Sequence, residues 1–231
     1  MNYPLWSLPA RGLLIASVAT IHVFVAHLAV GSGLFLVLAE RRARRQQDAA
    51  LLAYVRRHSR VLFLLSLVLG ALTGVGIWFT IGLIHPDATS SLISTFLWVW
   101  AIEWTFFLTE IAAALVYVHG WDRLDARAHL AVGWIYAASA WLSLAAIAAI
   151  LSFMLAPLDW LNTRTLLSAF LNPTYVPTLA MRTLAAVGLA GLYGLFTAAR
   201  VADETLKEKV ARYARRWIIW MAALMPFAVI A

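Results

Sequence analysis

T-F-L-W-V-W-A-I-E-W-T-F-F-L-T-E-I-A-A-A-L-V-Y-V-H-G-W-D-R-L, residues 95–124, sets two carboxylates inside an apolar run long enough to cross a bilayer. On an α-helix the seven residues from Glu103 to Glu110 make almost two turns, so both side chains leave nearly the same face, about 10 Å apart along the axis. An ionised carboxylate near the bilayer centre costs on the order of several kcal/mol. Such acids therefore face a bundle interior, find partners or stay protonated. Two roles fit: neutral, hydrogen-bonded acids that fix helix packing, or groups on a proton path or in a ligand site.

The 231 residues around this stretch are 63% hydrophobic and 13% charged, with mean hydropathy +0.83, values outside the range of soluble domains. They predict an all-α, polytopic membrane bundle, read as one membrane domain over residues 1–231. Spans are expected near residues 13–39, 61–84, 96–118, 130–155, 179–199 and 217–231, about six in all. The first is too long for a signal peptide and is expected to remain. The sixth is short, and would cross with tilt or continue in a longer parent chain. Cysteine is absent, which excludes disulfides, thiolate metal sites and C-x-x-C-H haem attachment within the chain. Metal or haem ligands must come from six His, five Met and the acids.

The net charge of +7 is distributed in short loops, which argues for a lipid bilayer and against a nucleic-acid partner. Arg41, Arg42, Arg44, Arg45, Arg56, Arg57 and Arg60 lie between spans one and two, and Arg123 and Arg127 between three and four. Arg200, Lys207, Lys209, Arg212, Arg215 and Arg216 lie between five and six. Fifteen of eighteen basic residues thus fall in alternate loops, leaving Arg11, Arg164 and Arg182 elsewhere. Positive loops stay cytoplasmic, so the amino terminus is expected outside. The outer segments are then residues 1–11, 85–95 and 156–176, the last expected to lie along the surface as a short helix and turn, with Trp160 and Tyr175 in the aromatic belt.

His22, in the outer third of span one, is the leading ligand candidate from the residues alone. An imidazole in hydrocarbon must satisfy both nitrogens or bind something. A neutral histidine bonded to a neighbouring helix is the competing role. His27 lies about 140° further round the helix, so the two are not expected to share a site. It suits a different cofactor, a neighbouring subunit or a polar contact. His58 and His129 are read as solvated residues of the inner interface. Gly70 and Gly74, in G-A-L-T-G, are one turn apart and allow close helix approach. Glu103 is expected at the depth of His22, with Glu110 deeper toward the inside.

Taken in order, I-H-V-F-V-A-H-L-A-V-G-S-G-L-F-L-V-L-A-E (21–40), G-A-L-T-G, A-I-E, F-F-L-T-E, H-G-W-D-R-L, A-H-L-A-V-G-W and F-L-N-P resemble subunit I of cytochrome bd-type quinol oxidases. The likeness covers essentially the whole chain and the amino-terminal part of that larger, nine-helix subunit. It implies that His22 ligates the iron of the oxygen-reactive haem, with Glu103 beside that haem and Glu110 as the second acid of a proton path. Between Glu103 and Glu110 this sequence is one residue shorter than the family pattern, which changes the angle between the acids. At the family's haem b ligand position stands Met181 on ungapped counting, or Arg182 if T-L is the anchor. Met181 has a sulfur for iron; Arg182 instead suits a haem propionate or a quinone oxygen.

The resemblance implies a haem-binding subunit of a respiratory complex that passes electrons between quinol and a haem or cytochrome partner. Its cofactor would be haem of b or d type, with a quinone as a further candidate. Its partners would be other membrane subunits, a cytochrome c-type subunit among the candidates, in a bacterial or archaeal plasma membrane. The alternative is a haem-poor structural anchor that has lost oxidase chemistry. A small proton-coupled transporter would explain the buried acids but not the ordered motifs.

Overall fold

The computed structural model describes residues 11–158, 160–163, 165 and 172–230, and every regular element among them is helical. Five helical stretches are long and apolar enough to cross a membrane. They are α1 (Arg11–Arg45), the continuous rod of α2 (Ala49–Leu64), a π-helical turn (Leu65–Gly70) and α3 (Ala71–Ile84), then α5 (Leu97–His119), α6 (Ala126–Leu155) and α8 (Tyr175–Ala198). The last helix, α9 (Glu204–Ile230), begins in the charged region, so only its second half is apolar. Short helices α4 (Pro86–Thr95) and α7 (Trp160–Thr163) complete the set.

Two connections differ from the sequence reading. The arginine-rich segment 41–60 is almost entirely helical, because α1 runs on to Arg45 and Asp48 caps α2, its carboxylate accepting from the Leu51 N–H at 2.9 Å. The outer segment 85–95 is also helical, started by Pro86 at the first position of α4, where its missing N–H costs nothing. Of the longer outer segment, Trp160–Thr163 does form a short helix. Residues 159, 164 and 166–171 lie outside the described residues, as does 1–10.

Small residues decide how the helices meet. A Cβ at Gly31 of α1 would lie 1.9 Å from the Ala186 carbonyl oxygen, so the α1 and α8 backbones touch there. Gly33 presses on Tyr136 of α6, and Gly133 of α6 receives Tyr117 of α5. Along α8, Gly188, Gly191 and Gly194 accept Met221, Trp217 and Ala214 of α9 in turn. With no hydrophobic drive between helices in lipid, such close contact supplies the dispersion that holds them. α1 is consequently the central helix, but only over its inner half: burial begins at Val25. There Phe35 packs against Tyr213 and Trp217 at ring distances of 5.0 and 5.2 Å.

The basic loops gather at one end. Arg56 of α2 forks onto Asp122 after α5, Lys209 of α9 pairs with Asp48, and Arg44 lies over Trp121 at 5.9 Å.

Candidate functional site

His22 is half-buried on the face of α1 that meets α3. Its Nδ1 lies 3.1 Å from Thr73 Oγ1, and a Cβ at Gly74 would come within 3.0 Å of the ring. The glycine of G-A-L-T-G therefore serves as a seat for the imidazole. His27 turns to the other side of α1, as its spacing requires. Its Nδ1–H donates to the Val23 carbonyl at 2.6 Å, and the buried ring lines a groove of about 440 Å³ shared with Thr20, Phe24 and, on α8, Ala185 and Leu189.

Glu103 and Glu110 both face α6. Ser143 donates to Glu103 Oε1 at 2.9 Å, while Glu110, partly buried, interacts electrostatically with Glu103 and with Tyr136. His22 and Glu103 make no direct contact with each other: one turns to α3, the other to α6. A shared site would have to hold a group that spans the gap. Met181 is 37% exposed on α8, whereas the neighbouring Arg182 is half-buried and has no ion pair among the described residues. Arg182 lies close enough to His27 for their charges to interact.

A second polar cluster escaped the sequence reading. Glu40 of α1 is fully buried, and its carboxylate accepts from Arg44 Nε at 2.6 Å, Tyr117 Oη at 2.7 Å and His129 Nδ1 at 2.9 Å. His129 Nε2 donates to the Tyr117 carbonyl at 2.9 Å. The expectation of a solvated His129 is thus wrong: α5 and α6 close over it, and it is 0% exposed. His58 is likewise buried, its Nδ1 3.1 Å from both Tyr54 Oη and Thr197 Oγ1. Ser143, Thr73 and Glu40 carried no sequence signal of their own beyond sitting in apolar spans or in the quoted motifs.

The family model for cytochrome bd terminal oxidase subunit I matches residues 10–231. Among solved structures, the bd oxidase from Geobacillus thermodenitrificans is similar, with a TM-score of 0.82 and 19% identity over 94% of this chain. The chain spans 53% of that relative's length, and the likeness at this identity concerns the fold. No curated protein matches the sequence.

Proposed function

This chain belongs to the cytochrome bd terminal oxidase subunit I family, and on that premise we propose that it is a haem-binding membrane subunit of a respiratory electron-transfer complex, with protons handled by Glu103 and Glu110. The observation that carries the reading is His22. It lies inside a membrane-crossing helix, with Nδ1 3.1 Å from Thr73 Oγ1 and the Gly70 carbonyl as a second acceptor beside the ring. A neutral imidazole has one N–H, so its other nitrogen keeps a lone pair that in hydrocarbon calls for a partner, and the ring packs over Gly74 of α3. His22 would hold the haem, with Glu103 on the neighbouring α5. Bound haem of b or d type would supply the redox chemistry.

Glu103 accepts from Ser143 at one oxygen, which leaves the other free to hold or release a proton beside that group. Glu110 lies about 10 Å further along α5, beyond direct hydrogen-bond reach. Transfer between them needs a bridging hydroxyl or water. By the positive-inside rule the end that gathers the basic loops is cytoplasmic, so Glu110 lies on the inner side of Glu103 and His22 near the outer face. His27 and Arg182, the latter without an ion pair among the described residues, offer an acceptor and a donor beside an apolar groove, which suits a quinone head or an anionic haem propionate. Residues 1–231 act as one membrane domain in a bacterial or archaeal plasma membrane. Quinol oxidation as a whole, with other membrane subunits and a cytochrome c-type partner, belongs to this proposal.

Met181 favours a second reading, a haem-poor structural anchor, because the residue is 37% exposed and an arginine stands beside it. Pyridine haemochrome analysis of the full chain, purified with its native partners, separates the two. The haem reading expects haem in the wild type and a lost signal in His22→Ala. Haem-free wild type supports the anchor, whereas a haem-containing His22→Ala protein with a spectrum identical to wild type removes His22 as the ligand.

A further inference from the structure

The hydrogen bond between α1 and α3 allows the two nitrogens of His22 to be told apart. Thr73 Oγ1 lies 2.5 Å from the Leu69 carbonyl oxygen, 3.3 Å from that of Gly70 and 3.1 Å from His22 Nδ1. Carbonyl oxygens only accept, and two oxygens at 2.5 Å need a hydrogen between them. The single hydroxyl hydrogen of Thr73 is therefore committed to Leu69. What remains to the ring is the threonine oxygen as an acceptor, so Nδ1 carries the hydrogen. A neutral imidazole has only one N–H, which leaves Nε2 as the nitrogen with the free lone pair.

We infer that Thr73 is a positioning residue that fixes the tautomer and orientation of His22 and so presents Nε2 to the iron, an inference that rests on the haem reading above. In metal-binding histidines, the hydrogen bond made by one nitrogen sets the tautomer and the basicity of the other. Here the partner is a threonine hydroxyl, itself oriented by its own helix, with the Gly70 carbonyl beside it as a second acceptor for the ring. The π-helical turn Leu65–Gly70 accounts for its placement. Each residue such a turn inserts rotates the helix beyond it by about 100°, and this turn ends directly before α3, three residues from Thr73. The same turn brings Gly74 under the ring. A straight α-helix through this segment would aim both away from α1.

Thr73→Val keeps the shape and removes the acceptor, whereas Thr73→Ser keeps the acceptor. Two readouts decide. Nitrogen-15 solid-state NMR of histidine-labelled full chain in lipid, prepared without haem supply, with the His22 signals assigned by their loss in His22→Ala, reports which nitrogen is protonated. Haem content and the midpoint potential of the haem are then measured on the loaded complex. The expected result is an Nδ1–H tautomer in wild type and Thr73→Ser. In Thr73→Val, which leaves the Gly70 carbonyl as the ring's acceptor, that preference weakens, and haem affinity falls about 10- to 100-fold, the range seen when such outer partners of metal ligands are removed. An Nε2–H tautomer in wild type overturns the inference, as does a Thr73→Val protein unchanged in tautomer, haem content and potential. Full haem retention by His22→Ala overturns the haem reading instead, and the nitrogen spectrum still decides the role of Thr73 on the ring.

Discussion

Glu40 is a fully enclosed carboxylate, and its three donors come from three helices: Arg44 on α1, Tyr117 on α5 and His129 on α6. Removing one side of a buried ion pair leaves the other uncompensated, at a cost of roughly 3–5 kcal/mol. Glu40→Gln, which turns an amide N–H₂ toward Arg44 and His129, is expected to lose that much and to lower the thermal midpoint in detergent. Tyr117→Phe removes one neutral donor and is expected to cost about 1–3 kcal/mol. A Glu40→Gln protein that melts with wild type would show that the cluster does not hold these helices. If Glu103 carries protons as proposed, the expected loss is in rate: Glu103→Gln should slow proton-coupled turnover about 10²- to 10⁴-fold, with haem content retained. Glu103 and Glu110 were legible in the sequence because an acid inside an apolar run contradicts its surroundings. Glu40 and His129 were not, since each stands near the end of a span. Only the meeting of α1, α5 and α6 shows that they are dry.

At the scale of elements, the crossing of α1 and α8 is set at Gly31. Any side chain there collides with backbone, which cannot rotate away, so Gly31→Ala is expected to cost about 1–3 kcal/mol and to loosen the pair. Gly82, whose added Cβ would meet nothing within 4 Å, is the control, and Gly82→Ala should leave the midpoint unchanged or slightly raised. Asp48 joins two further elements, capping α2 and pairing with Lys209 of α9. The hydrogen bond from the Lys209 ammonium, and after it the Leu51 N–H, hold its carboxyl below the usual carboxylate range. The carboxyl is thus lower in the folded than in the unfolded chain. Its stabilisation is complete above the unfolded value of about 3.9 and is lost as pH falls through the lower folded value. Asp48→Asn keeps the cap and should remove this acid-sensitive part, while Asp48→Ala loses the cap as well, about 1 kcal/mol more. Hydrogen exchange in the first turn of α2, measured from pH 3 to 6, separates them. The spans themselves were readable from hydropathy, which depends on composition alone. The π-helical turn and the true helix ends were not, because they depend on capping and on what each helix packs against.

For the whole molecule, the decisive asymmetry is between its two ends and between its helices. The most apolar window of α6 is 44% buried, against 17% in α5 and 6% in the α2–α3 rod, so α6 is interior and the outward faces of α3 and α5 need lipid or partner subunits to cover them. Trp98 and Val75, 72% and 68% exposed, lie on those faces. The ends differ in charge: the Arg56–Asp122 and Lys209–Asp48 pairs tie the basic loops together at one of them. By the positive-inside rule that clustering sets the orientation, with His22 and Glu103 toward the outside and Glu110 and Glu40 toward the inside. The chain itself supplies a clean test, since it has no cysteine. Single cysteines at Arg57, exposed beside the basic loop, and at Asp87, exposed at the start of α4, will report the two sides. In intact cells a membrane-impermeant maleimide is expected to label Asp87→Cys at once, and Arg57→Cys only after the membrane is opened. The reverse pattern would invert the bundle. Glu110 would then lie on the outer side of Glu103, and a proton arriving from the cytoplasm would meet Glu103 first, which would remove Glu110 from the proposed proton path.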